Sequence, residues 1–243
     1  MDFQNFERLF SPARISRYML AASNEKSRAQ KLYVANLKVA QSFHPLLGVI
    51  EIVIRNRINS LLSNHFNDPD WIINQVSGFM ADSSLMKTNR TTGRPEPDQY
   101  LRKEVNKAIN RFRQTNTMIT SGKIIAEQTF GFWTELFETK YYRLIAGRPI
   151  QIFTALPPAN NRRTILNELT LIRLFRNRIN HNEPICFNQH NKVDFTNALA
   201  VYSSIKNMLM WIDNDLIAMV DKLDHVKATV RKANNILAWW NVF

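Results

Sequence analysis

The chain has 243 residues, 45% of them hydrophobic and 21% charged, which is enough to bury a full core and too apolar for a disordered segment. Thirty-two Lys and Arg against 20 Asp and Glu give a formal net charge of +12 and a pI near 10.0, a balance that favours polyanionic partners, nucleic acid first. The single Cys186 excludes an internal disulfide framework and a multi-cysteine zinc site, and fits a reducing cytosol.

The basic residues are dispersed, so a binding surface must be assembled by folding, and an inert solvated basic surface is the bland alternative. The N-terminus does not read as a secretory signal, and Glu51 breaks the longest apolar stretch, Leu46 to Ile54. A soluble, cytoplasmic, single-domain protein over residues 1–243 is the expectation.

Taken in chain order, the pattern is helical almost throughout. Ser11-Pro12 reads as an N-cap and first-turn proline, followed by Ile15, Tyr18, Met19 and Ala22 at helical spacing. A second helix covers Leu32 to Gln41, and His44-Pro45 restarts a third that carries Leu46, Leu47, Ile50, Val53, Ile54, Ile58, Leu61 and Leu62. Asp68-Pro69-Asp70-Trp71 opens a shorter helix, and Thr88 to Asp98 reads as a polar exposed loop. Helices are predicted over about 99–115, 123–142 and 162–182, the last ended by Pro184. A long amphipathic helix comes next, from Phe195 through Leu199, Tyr202, Ile205, Leu209, Ile212 and Leu216 to Met219, and a final helix ends in Trp239, Trp240 and Phe243. No alternation marks a sheet, and six glycines leave little material for phosphate-cradling loops, so the fold class is all-α and no cofactor is predicted.

The informative stretch is Arg176-Asn177-Arg178-Ile179-Asn180-His181-Asn182-Glu183-Pro184. It sets a permanent cation, a carboxamide and an imidazole at one helix end, the group types able to cleave a phosphodiester without a metal. Arg followed by Asn, with His four residues after the Asn, is expected by chance about 0.04 times in this chain, so the spacing counts as evidence. On a helix Asn177 and His181 share a face, while Arg176 lies about 140° round from His181 and reaches back only with its long stem. Arg55-Asn56-Arg57-Ile58-Asn59 echoes the motif's first five residues, without a fixed period that would establish a duplication.

Arg176-Asn177-x-x-x-His181, followed by Asn182-Glu183-Pro184-Ile185, resembles the signature of the HEPN superfamily and, within it, of the Abi-like family associated with abortive infection. Glu51-x-x-x-Arg55-Asn56, Thr129-Phe130-Gly131-Phe132-Trp133 and the Tyr33-x-x-Asn36 region resemble further blocks of that family, so the likeness spans most of the chain. It implies a helical bundle of the HEPN type with additional N-terminal helices, metal-independent endoribonuclease activity, a homodimer with a composite site, and a role in phage defence or a toxin-antitoxin system. An antitoxin, protein or noncoding RNA, belongs to that picture. Asn182 departs from the family, which often has a second His at this position.

The chemistry can be stated apart from the resemblance. RNA supplies its own nucleophile, the 2′-hydroxyl, so a protein need only move protons and stabilise charge on the phosphorane. His181 is the predicted proton mover, Arg176 the bidentate phosphate grip, and Asn177 the residue that orients imidazole or phosphate. Glu51, Arg55, Asn56 and Glu183 are candidate supporting residues. Glu51 and Arg55, four apart on an apolar helix, read first as an ion pair that positions the helix. Glu183 either orients His181 or caps the turn before Pro184. His44, His65, His190 and His225 lack ligand spacing, so no metal is predicted. Phe130, Phe132 and Trp133 could stack on bases but at helical spacing read first as core, and Trp239 and Trp240 read as docking or interface residues before base platforms. The rival functions are a non-catalytic RNA- or nucleotide-binding module in a defence complex, and an interaction protein whose motif is a hydrogen-bond network.

Overall fold

The computed structural model describes residues 1–238, and within them the chain is all-α apart from one short hairpin. Twelve helices are formed among these residues: α1 Phe3–Phe10, α2 Pro12–Ala21, α3 Lys26–Phe66, α4 Trp71–Asn74, α5 Tyr100–Gln114, α6 Ser121–Glu127, α7 Phe130–Glu135, α8 Thr139–Leu144, α9 Arg162–Asn180, α10 Thr196–Ile212, α11 Asp215–Asp221 and α12 Val226–Ala238. The C-terminal aromatic residues Trp239, Trp240 and Phe243 lie outside the described residues.

Several elements differ from the sequence reading, each for a physical reason. The helices expected on either side of His44-Pro45 are one, α3, with Pro45 inside it. Pro45 and Gln41 are both exposed, so the carbonyl that proline leaves without a donor sits on the solvated side. Phe43, Leu46 and Ile50, at most 1% exposed, hold the helix together across the proline. The single helix expected over 123–142 is three. Gln128 leaves helical geometry at φ −71° and ψ 134°, its side-chain Nε2 donating to the Ile124 carbonyl at 2.9 Å, and Glu138 is extended again at ψ 141°.

The 88–98 region, expected as a loop, contributes to a hairpin, β1 Met86–Thr88 with β2 Pro95–Pro97, antiparallel with Lys87 opposite Glu96 at 3.2 Å. Its turn is organised by Asn89, whose Oδ1 accepts from the Thr91 and Thr92 N–H groups, and by Gly93 at φ +67°. The amphipathic helix expected to reach Met219 stops at Ile212, and α11 is a separate element. Helix α1, capped by the Asp2 carboxylate on the Asn5 N–H, is an element the sequence reading missed.

The chain divides into two compact units: Met1–Val49, Leu174–Met210 and Asn214–Phe243 form the first, Ile50–Arg173 and Trp211–Asp213 the second. Helices α3, α9 and α10 each contribute residues to both. In the first unit, Tyr33 sits in an aromatic cluster, 5.3 Å from Phe6 and 5.1 Å from Tyr18, and Tyr18 meets Phe187 edge-on at 5.2 Å. Burial holds the Tyr18 hydroxyl well above the ordinary phenol range.

In the second unit, Trp71, Phe130, Phe132, Trp133 and Tyr141 are at most 1% exposed, so the aromatic stripe of α7 is core, as its spacing suggested. By length and composition α3 is apolar enough to cross a membrane, despite the interruption at Glu51; a buried helix of a water-soluble protein passes the same test. Its apolar residues Leu32, Val39, Ile54, Ile58 and Leu62 are fully buried within the protein.

The second unit also holds a polar anchor. The Lys140 ammonium pairs with Asp98, whose side chain is only 6% exposed, and with Glu135 at 2.9 Å. Burial opposes the Lys140 charge, but these two carboxylates outweigh it and raise its pKa above the ordinary lysine value. Replacing Lys140 by Ala leaves a buried carboxylate without its cation, and is expected to lower stability by about 2–3 kcal/mol in urea unfolding.

Candidate functional site

The candidate site is built by the packing of α9. Ile165, Leu169, Ile172, Phe175 and Ile179 recur at three- and four-residue spacing and are all buried. Phe175, edge-on to Phe43 at 4.7 Å, sets the rotation of the helix end within the first unit. At about 100° per residue, Asn177 lies about 200° and His181 about 240° round from Phe175, so both must face away from the core. Both are exposed, and Arg176 is partly buried.

The helix ends in a Schellman motif. The His181 N–H still donates to Asn177 O at 2.9 Å, the Asn182 N–H donates to Ile179 O at 3.0 Å, and the Glu183 N–H reaches back to Arg178 O at 2.8 Å. Asn182 takes the left-handed conformation, φ +53°, that Asn tolerates better than most side chains. His181 is therefore the capping residue itself, held in helical register with Asn177 one turn below. The stop comes two residues before the one expected from Pro184.

The segment after His181 is tied down from three directions, all in the first unit. Asn36, 2% exposed on α3, accepts the Ile185 N–H on its Oδ1 at 2.8 Å. From α2, Arg14 donates to Asn182 O at 2.7 Å, and Arg17 donates to Asn188 O at 3.4 Å while its guanidinium lies over the Phe187 ring at 4.4 Å. From α9 itself, Arg178 donates to Pro184 O, and its Nε stands 3.6 Å from Glu183 Oε2. Residues 186–194 then fold back on themselves through a Phe187–Val193 bridge and the Asp194 N–H to Cys186 O bond at 2.8 Å.

Of the seven residues singled out in the sequence, Arg176, Asn177, His181 and Glu183 come together at this helix end. The Glu183 carboxylate lies 3.6 Å from Arg178 Nε. Glu51, Arg55 and Asn56 belong to the second unit. Glu51 and Arg55 form the expected ion pair at 3.1 Å, with side chains 12% and 19% exposed, and Asn56 is exposed. The echo of the motif around Asn56 has Ser60 at the place of His181, and its Asn59 accepts from Trp71 Nε1 at 2.9 Å. Among the described residues no group of three or more His, Cys, Asp or Glu side chains is placed to hold a metal ion.

Sequence reasoning missed Arg14, Arg17 and Arg178. The first two are three apart, on one face of a well-signalled helix, but their partners lie 168 and 171 residues away, where no local pattern points. Compared with known proteins, the chain matches no family model, no curated protein and no solved structure.

Two measurements check this local architecture. Asn36→Ala removes the acceptor of a buried N–H and is expected to cost about 1–3 kcal/mol in thermal or urea unfolding, with the turn after His181 gaining hydrogen exchange before the rest of the first unit. Burial pushes the Cys186 thiol up to about 12, so the folded protein is expected to resist iodoacetamide at pH 8.5 and to react at once when unfolded.

Proposed function

We propose that this chain is a metal-independent endoribonuclease of the HEPN type, related to the Abi-like proteins, acting in phage defence or as the toxin of a toxin-antitoxin pair in the cytoplasm. The observation that carries the reading is the register of Asn177 and His181, one turn apart on the exposed face of a capped helix end, with Arg176 beside them. The net charge of +12 supports a polyanionic substrate, and the sequence resemblance supplies the class.

In this reading the RNA 2′-oxygen attacks the adjacent phosphorus. The P–O2′ bond forms, the P–O5′ bond breaks, and the products are a 2′,3′-cyclic phosphate and a 5′-hydroxyl. One proton must leave the 2′-hydroxyl and one must reach the 5′-oxygen. His181 donates the second, and Arg176 neutralises the phosphorane oxygens through two N–H groups. Asn177, one turn before His181, holds the imidazole or a phosphate oxygen through its carboxamide in this reading.

Each copy of the motif carries one imidazole, so the other proton transfer falls to His181 of a second copy, and the working form is a homodimer with a composite site. The Glu51–Arg55 pair serves as structural support in the second unit.

The assay is incubation of purified protein with total RNA in excess EDTA. Cleavage with 2′,3′-cyclic phosphate ends is expected, reduced by about 100-fold or more in His181→Ala and to a similar extent in Arg176→Ala. RNA binding without cleavage in the wild type would replace this reading with a non-catalytic RNA-binding module, and absence of both would leave an interaction protein.

A further inference from the structure

The two arginines of α2 do more than tie down a loop. Beside the turn after His181 lies an open pocket of about 430 Å³, lined by Ser11, Arg14 and Arg17 from one side and Asn182, Glu183 and Pro184 from the other. That volume falls in the range of small-ligand sites. Its first lining residue in the turn, Asn182, is bonded directly to His181, so their Cα atoms are about 3.8 Å apart.

The arginines carry unspent donors. A guanidinium has five N–H groups. Among the described residues Arg14 uses one, on the Asn182 carbonyl, and is otherwise exposed. Arg17 uses one at the long distance of 3.4 Å, and its Nε is buried with no hydrogen-bond partner. That Nε has no access to the pocket, so the donors open to an anion are the terminal N–H groups not spent on the two carbonyls. The one acid in the wall, Glu183, is already balanced by Arg178, so the pocket keeps the charge of both α2 arginines.

We infer that Arg14 and Arg17 form a second phosphate-binding subsite, which takes the phosphodiester next to the one that His181 addresses. The inference rests on the RNA-cleaving reading and adds substrate length to it: a fragment with a single phosphate cannot fill both places, whereas single-stranded RNA with two or more can. The arginines then have two tasks at once, orienting the turn through its carbonyls and gripping the substrate that crosses it.

The test uses a 12-nucleotide 2′-O-methyl RNA, which binds but cannot be cut, with cleavage of unmodified RNA in EDTA read in parallel. The double variant Arg14→Gln/Arg17→Gln is expected to bind the 2′-O-methyl RNA about 10-fold more weakly, and the slope of log affinity against log salt to fall in magnitude by about 0.7, the loss of one phosphate contact on a single strand. Because these residues also hold the turn, the wild type supplies a second measurement: the same RNA should protect Arg14 from phenylglyoxal.

Unchanged affinity and slope in a folded double variant, or an unprotected Arg14, overturns the subsite even where the wild type cleaves RNA and the nuclease reading stands. Binding that depends on both arginines in a wild type that cuts nothing keeps the subsite and removes the nuclease. A wild type that neither binds nor cuts removes both.

Discussion

One buried hydrogen bond, from the Ile185 N–H to the Asn36 carboxamide, governs how the chain leaves the helix that carries His181. Isolated in the core of the first unit, it has no solvent to replace it, so its loss would be felt in full. With it in place, Asn182 can adopt its left-handed conformation, the carbonyls of Asn182 and Pro184 turn toward Arg14 and Arg178, and the helix ends where the imidazole meets water. The covalent path through residues 181–188 is short, yet it is gripped by side chains from α2, α3 and α9. A segment held from three helices keeps its geometry without help from a ligand.

How much of this could be read beforehand depends on the range of the interactions. The all-α class, the cap at Ser11, the core role of Phe130, Phe132 and Trp133, and the Glu51–Arg55 pair all derive from neighbours three or four residues apart, and these the pattern carries. The Arg176–His181 spacing is local in the same sense, so the candidate helix end was legible.

Two breaks were not, for opposite reasons. Pro45 signals an interruption, but its ring stands on the solvated side and the apolar face of α3 continues past it. Gln128 gives no such signal, since only the buried bond from its side chain to the Ile124 carbonyl shows that the chain has turned. The α2 arginines were illegible because their acceptors are backbone carbonyls, which carry no residue identity for a pattern to register. The Tyr33-x-x-Asn36 region lies between these cases: its packing, an aromatic cluster around Tyr33 and a buried acceptor at Asn36, joins segments that no local spacing links.

The rotation of α9 has one more consequence. Phe175 and Ile179 turn the side chains of Asn177 and His181 outward, and at an exposed position such as Asn177, away from caps and ion pairs, a substitution usually changes stability by less than about 0.5 kcal/mol. Fold maintenance and the chemistry proposed for Asn177 and His181 would therefore fall on opposite sides of the same two turns. Under the proposed function, a lineage could silence the outer side through drift and still inherit an intact core, so a loss of catalysis would leave no scar in folding.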